Sequence, residues 1–580
     1  MKFLKPYIRK YWKLFGIAVF FLMIEALCDL LQPTIMAKII DDGVANSEMN
    51  VVLRLGSLML MITLFGALTA SLRSVISSRV SQRFGAELRA DLFRKIQGLS
   101  FENMDQFDRA SLVTRLTNDV TQVQNFVNGL MRIFVKAPLV CIGSLIMAVR
   151  LNMQLSVVLI VVVPLVAVFI LLNMKIGFPF FVKVQQALDK VNGVMREYLS
   201  GVRVVKAFNR FDVEVDKFEQ ANQGLQSRST TAMRVMSVFS PQIVLTVNLG
   251  IIAVLWIGGL RVDQGQMQVG HIIAFINYMT QILFSLMMIS MIFNMFVRAK
   301  ASAERIGEVF STWNAMTWDS KVEGQADQRG RIDFDEVTFA YEGTSGDPVL
   351  KQISFSCAPG QMIGIIGSTG SGKSSLVHLI PRFYDTTSGT VSVNGVDVRQ
   401  MDPQKLRETI AIVPQRTVLF SGSVIENIQY GKENATQEEI EAAARIAEAH
   451  DFIAESPEGY HSRIGQGGVN FSGGQKQRLS IARALVRKPD ILILDDCTSA
   501  VDVATESRIK AGLKQYAAGL TCLLIAQRIT SVMDADRIIV LEDGVIVGQG
   551  THHELMADCT VYQEIFQSQL GKEMNHYAAK

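Results

Sequence analysis

At 580 residues the chain exceeds what one hydrophobic core ordinarily supports, so two or more domains are expected. Hydrophobic side chains make up 49% of it and mean hydropathy is +0.26, which excludes a wholly ordinary soluble protein and points to a membrane region. A formal charge of +3 over that length leaves no basic footprint for nucleic acid, and six scattered cysteines without a Cys-x-x-Cys pair argue against a zinc site and a disulfide framework.

The N-terminal run MKFLKPYIRKYWK is basic, and no small-residue cleavage site closes the apolar run behind it, so it reads as a retained cytoplasmic end. Six apolar stretches follow, roughly 14–40, 51–72, 134–151, 153–174, 239–260 and 269–296. Each is near or above the about 18–20 residues that a helix needs to cross about 30 Å of hydrocarbon. Only Arg150–Gln154 separates the third from the fourth, which predicts a tight hairpin. Segments 73–132 and 175–235 then fall on the inner side and carry nine and ten Lys and Arg, whereas Asp41–Asn50 carries none. The connections 150–154 and 258–270 carry one Arg each, so the asymmetry follows the positive-inside rule. The two inner segments have no Gly/Pro-rich break and predict helices that leave the membrane and return, with turns near 103–111 and 209–215.

Glu25 and Asp29 lie four residues apart, on one face of the first span. Carboxyl groups at such depth face a cavity or a polar partner. Two readings stay open for them: attraction of a cationic amphipathic substrate, or a structural hydrogen-bond network. The last span carries Met279, Met287, Met288, Met291 and Met295, a soft surface for promiscuous apolar ligands or ordinary helix packing.

Composition shifts at a polar linker, giving residues 1–315 as an all-α six-helix membrane domain, 316–330 as linker and 331–580 as an α/β domain. In the last, Gly367-Ser368-Thr369-Gly370-Ser371-Gly372-Lys373-Ser374 matches G-x-x-x-x-G-K-[ST] between the apolar strand 361–366 and a helical run. Backbone N–H groups of such a loop wrap phosphate oxygens, Lys373 reaches the β- and γ-phosphates, and the Ser374 hydroxyl ligates Mg²⁺. Ser375 adjoins the same loop. Downstream, Ile491-Leu492-Ile493-Leu494 reads as a strand buried on both faces and ends on Asp495 and Asp496. Asp495 is the candidate Mg²⁺ carboxylate. A second anion-grade helix start is Ser472-Gly473-Gly474-Gln475 ahead of an amphipathic helix, where a simple cap needs the serine but not two glycines.

Taken together, residues 367–374, 471–475 and 491–502 resemble the Walker A, signature and Walker B/D-loop set of ABC ATPases. With six spans ahead of it, the chain resembles an exporter-type half-transporter. The resemblance implies two nucleotide domains paired head to tail, each ATP lying between the Walker A of one chain and the signature of the other. It implies that Tyr341 stacks on adenine, that Gln415 contacts Mg²⁺, and that the turns near 103–111 and 209–215 are coupling helices. Arg463–Gly468 resembles the loop that meets them, and Ser499–Asp502 the D-loop.

Two positions depart from that family pattern. Asp496 stands where the catalytic Glu is expected, and Gln527 where the switch His is expected. Aspartate is one methylene short of a water that glutamate would polarise, and a misplacement of about 1 Å can cost on the order of 10²-fold in rate. An uncharged Gln offers no matching electrophile to the γ-phosphate. With the signature intact, the chain reads as one half of a heterodimeric ABC exporter of the multidrug kind, its own site weak, its partner carrying Glu and His. ATP and Mg²⁺ are the expected cofactors, amphipathic drug- or lipid-like molecules the expected substrates, and a bacterial plasma membrane with a cytoplasmic nucleotide domain the expected location. The rival readings are a lipid, peptide or siderophore exporter, and a nucleotide-gated regulatory or channel-like subunit.

Overall fold

The structure is a computed structural model that describes residues 2–314, 316, 328–342, 346–516 and 519–570. Most of the expected linker 316–330 lies outside the described residues. The chain divides into two compact units, one of residues 1–97 and 109–312, the other of residues 98–108 and 313–580.

Among the described residues, six helices of the first unit are long and apolar enough to cross a membrane: Lys5–Val44, Met49–Gln97, Arg109–Leu151, Ser156–Ala207, Phe211–Asp263 and Val269–Ser311. The shortest has 40 residues and so runs about 60 Å, twice the hydrocarbon thickness. Each therefore projects beyond the apolar stretch found in it, as expected for 73–132 and 175–235. The hairpin at Arg150–Gln154 is present, with Asn152 Oδ1 accepting from the backbone N–H groups of Gln154 and Leu155.

The turn expected near 209–215 is tighter than expected. Ala207 closes one helix and Phe211 opens the next, with Asn209 at φ +49° between them. Asp212 and Glu214 fall in the first turn of the new helix, where carboxylates complement the N-terminal dipole, so it starts at once and no separate short helix forms. At the first turn a short helix does form, Phe101–Asp105, capped by Ser100, whose Oγ accepts from the Asn103 N–H.

Inside the first unit, buried Phe275, Tyr278, Leu155, Leu159 and Val247 share one core. The Tyr278 hydroxyl meets the Leu30 carbonyl and the Thr34 hydroxyl, each at 2.7 Å, tying the last helix to the first. Buried Asp119 binds Ser302 and Arg305, joining the third long helix to the last.

The second unit is built on a six-stranded sheet in the order Val545–Gly550, Arg537–Glu542, Met362–Gly367, Thr521–Ile525, Ile491–Asp495, Ile410–Val413. Its first strand runs antiparallel to its neighbour and the other pairings are parallel. A four-stranded antiparallel sheet, formed by Leu350–Cys357, Ile332–Phe339, Ser388–Val393 and Val396–Asp397, packs with it. Strand Ile491–Asp495 sends Ile491 and Ile493 into one core and Leu492 and Leu494 into the other, all essentially solvent-free. That is the doubly buried strand read from the sequence.

Candidate nucleotide site

Register brings the chemistry together. Ile365 pairs with Ile525, and Ile525 with Asp495, so the loop after Gly367, the pair Asp495–Asp496 and Gln527 leave the sheet at one edge. Ligands of parallel α/β sheets bind at such carboxyl ends.

The loop Gly367–Ser374 turns through Gly370 at φ +89° and Gly372 at φ +95°, conformations that L side chains avoid. Behind Gly372 there is also no room, since a Cβ there would stand 2.8 Å from Leu350. The loop folds around Lys373, whose Nζ donates to the carbonyls of Gly367 at 2.9 Å and Ser368 at 2.6 Å. Burial pushes the Lys373 pKa down, with Asp496 and Asp495 partly offsetting the shift. Ser368, Thr369 and Gly370 are exposed, whereas Ser371 and Ser375 are buried. Ser374 Oγ donates to Asp495 Oδ1 at 3.0 Å, and burial pushes the Asp495 pKa up.

Among the described residues no group of three His, Cys, Asp or Glu side chains is placed to cage a metal. A hydroxyl beside one carboxylate is instead the sparse oxygen set that Mg²⁺ takes together with nucleotide phosphates. The glycine turns, the buried amine and this oxygen pair fit MgATP.

Asp496 holds φ +46°, and its N–H donates to Ile525 O at 2.9 Å. Its Oδ2 accepts from Gln415 Nε2 at 3.1 Å and from Gln527 Nε2 at 2.9 Å. The two glutamines singled out in the sequence therefore converge on one oxygen of the Asp496 carboxylate. Tyr341 lies beside the loop, its hydroxyl 2.9 Å from Ser375 Oγ and its ring edge-on to Tyr384.

Ser472 caps the helix Gly473–Leu485 through a reciprocal pair: its Oγ accepts from Gln475 N–H, and Gln475 Oε1 accepts from Ser472 N–H. Both of these bonds stay within the signature and do not involve the phosphate loop. The second glycine has a local reason that the sequence hid. A Cβ on Gly474 would lie 2.9 Å from the Ala500 carbonyl, whereas one on Gly473 would meet Ala500 only at 3.4 Å.

Nothing in the sequence singles out Gln477, because its helix offers other polar residues of the same kind. It accepts from Ala500 N–H at 3.0 Å and donates to Ser499 Oγ at 3.3 Å, fastening the signature helix to the D-loop. Gln569 is equally silent in the sequence; it donates to the Gln527 carbonyl at 2.7 Å and accepts from Ile529 N–H. The segment expected to couple, Phe101–Asp105, packs Phe101 on Phe383 at 4.7 Å between ring centroids, and Tyr384 donates to Asp105 at 2.7 Å.

In the first unit, Glu25 spends both oxygens on cations: Oε2 on Arg73 at 2.7 Å and Oε1 on Lys136 at 2.6 Å. Lys136 also reaches Asp29 at 2.9 Å. Of the two readings open for Glu25 and Asp29, this geometry matches the hydrogen-bonded network. Met279 is buried in the helix core, while Met291 and Met295 line a cavity.

These features define a membrane-helix unit fused to a phosphate-loop α/β unit with a signature helix. Residues 15–287 match the family described as ABC transporter transmembrane region, and residues 350–499 that described as ABC transporter. The chain is 41% identical to the uncharacterized ABC transporter ATP-binding protein YfiB of Bacillus subtilis, over 99% of this chain and 98% of that one. It is 34% identical to a fatty acid ABC transporter ATP-binding/permease protein of Mycobacterium bovis, over 83% of this chain and 76% of the other. A solved bacterial Atm1-family ABC exporter with ATP bound shares the fold at a TM-score of 0.79 and 24% identity, over 98% of this chain and 99% of that one. The chain belongs to the ABC transporters: it is a multi-pass membrane protein that joins an ABC transmembrane region to an ABC ATPase domain.

Proposed function

We propose that this protein is one half of a heterodimeric, ATP-driven exporter of amphipathic small molecules in a bacterial plasma membrane, with a weakly hydrolytic site of its own. The observation that carries this reading is the convergence of Gln415 and Gln527 on Asp496 Oδ2. A general base must offer a free, well-placed oxygen to the attacking water. Here the shorter carboxylate has one oxygen already holding two amide donors, and no imidazole takes the place of Gln527.

In this reading Lys373, the loop backbone and Ser374 bind and orient the nucleotide, Asp495 and Ser374 hold Mg²⁺, and Tyr341 supports the base. Bound MgATP supplies the phosphoanhydride and the charge that draws two nucleotide domains together. The capped serine and open helix start at Ser472–Gln475 serve the partner's nucleotide, and the partner brings Glu and His. Fatty acid transport, named for the Mycobacterium bovis relative, supports an amphiphilic substrate.

The deciding experiment purifies the chain alone and with a co-expressed second half-transporter. Slow hydrolysis alone and fast hydrolysis together, with ATP-dependent accumulation in inverted vesicles, is the expected result. Fast hydrolysis by the chain alone that Asp496→Asn abolishes would overturn the heterodimer. A passive ion current on ATP binding would make the protein a channel.

A further inference from the structure

The first unit contains a cavity of about 680 Å³ between its first, second, third and last long helices. Its volume lies in the usual range of about 300–1,000 Å³ for small-molecule sites. Four cationic side chains line it, Arg73, Arg132, Lys136 and Arg298, against the single carboxylate of Glu25. Lys136 is spent on Glu25 and Asp29. Arg132 and Arg298 have no ion-pair partner among the described residues.

Arg73 is the more telling group. Its side chain is only 9% exposed, and its Nε is committed to Glu25. Its Nη1 is buried without any hydrogen-bond partner. A buried guanidinium N–H left unmatched costs free energy unless an acceptor arrives. The backbone widens to a π turn at Leu130–Phe134, which carries Arg132 and Ile133 on this wall. Single π turns recur at functional sites.

A second cavity, about 940 Å³, adjoins the first and shares Asn294 and Arg298 with it. Its character is the opposite: Phe178, Phe181, Phe293, Met174 and Leu171 give it an apolar wall. A cationic hollow that opens beside an apolar one has the form of a receptor for a molecule with an anionic head and a hydrocarbon tail.

We infer that the transported substrate is an anionic amphiphile, its head group held by Arg73, Arg132 and Arg298 and its tail in the cavity walled by Phe178 and Phe293. The charge is opposite to that of the cationic substrates considered for Glu25 and Asp29; those carboxylates hold Lys136 and Arg73 in place instead. The inference rests on the exporter reading only in treating the occupant as cargo. Binding itself needs no nucleotide and no hydrolysis.

The test uses the full chain in nanodiscs of zwitterionic lipid without ATP, and a fluorescent long-chain carboxylate as probe. Its methyl ester and a trimethylammonium analogue of the same length serve as comparisons. The carboxylate is expected to bind at least about tenfold more tightly than the ester, and the cation most weakly. Arg132→Gln with Arg298→Gln should remove the preference, and Arg132→Lys with Arg298→Lys should keep it. Both side chains are exposed and lie outside the buried Glu25 network, so an unchanged melting temperature checks the fold. Doping the nanodisc with an anionic phospholipid tells the source of the head group: competition assigns the site to bilayer lipid, its absence to free amphiphile, and both keep the anion site. Equal or tighter binding of the ester or the cation, or a preference that survives the Gln pair, overturns the inference. Fast hydrolysis by the chain alone would overturn the heterodimer and leave this result standing.

Discussion

Gln527 donates to the same oxygen of Asp496 that Gln415 occupies, so the two glutamines restrain one carboxylate between them. Two side chains that look independent along the chain are one hydrogen-bonded unit in space. Changing one alone leaves the other mismatched: a longer carboxylate at position 496 would still meet an amide, and an imidazole at position 527 would still meet a short carboxylate. The double change Asp496→Glu with Gln527→His should raise the ATPase rate of the isolated chain by about tenfold or more, and each single change by much less. Steady-state phosphate release by the four proteins checks it. Equal gains from the single and the double variants would show that the two positions act separately.

Asp495 should decide Mg²⁺ dependence. Burial holds its carboxyl above the ordinary pKa of 3.8, and Ser374 partly offsets that. Metal coordination needs the ionised form, so the gain in nucleotide affinity from Mg²⁺ declines on acidification. The decline should begin at a higher pH than for an exposed aspartate. Asp495→Asn should remove the Mg²⁺-dependent gain while leaving binding in EDTA. A fluorescent ATP analogue titrated across pH with and without metal reads both effects; a pH-independent gain would refute the assignment.

Gly474→Ala should cost about 1–3 kcal/mol of stability, because its new methyl meets the Ala500 carbonyl at 2.9 Å. The same clash pushes the D-loop from the signature helix, which Gln477 otherwise fastens. Thermal melting of the purified protein measures the first effect, and loss of ATPase in the assembled pair the second. Gly473→Ala, with its nearest neighbour at 3.4 Å, should melt almost normally and still impair the pair if that glycine faces the partner's nucleotide.

Contiguous chemistry is legible in the sequence: the loop Gly367–Ser374, the run Ile491–Asp496 and the six apolar stretches announce themselves by local pattern. The tightness of the turn at Phe208–Arg210 depends on where Asp212 and Glu214 begin a helix, which pattern alone places only to within a few residues. Pairings across long separations are invisible. Arg73 and Lys136 reach Glu25 from 48 and 111 residues away, and nothing in the first span names them. Hence the carboxylates of that span suggest a cationic ligand, although their counter-ions are already supplied by the chain.

The Glu25–Arg73 pair gives the clearest stability test. Both side chains are 9% exposed, so Glu25→Gln leaves a buried guanidinium without a counter-charge. Breaking one side of such a pair costs about 3–5 kcal/mol, whereas replacing both partners is often close to neutral. Glu25→Gln and Arg73→Gln should therefore each lower the melting temperature in detergent, and the double variant should recover much of the loss. Asp29→Asn, whose carboxylate is 38% exposed and shares Lys136, should do little. A counter-ion for cationic cargo would behave differently: Glu25→Gln with Asp29→Asn would melt normally and lose export of cationic dyes. A strongly non-additive melting cycle assigns Glu25 to holding the helices, because its two oxygens already bind Arg73 and Lys136.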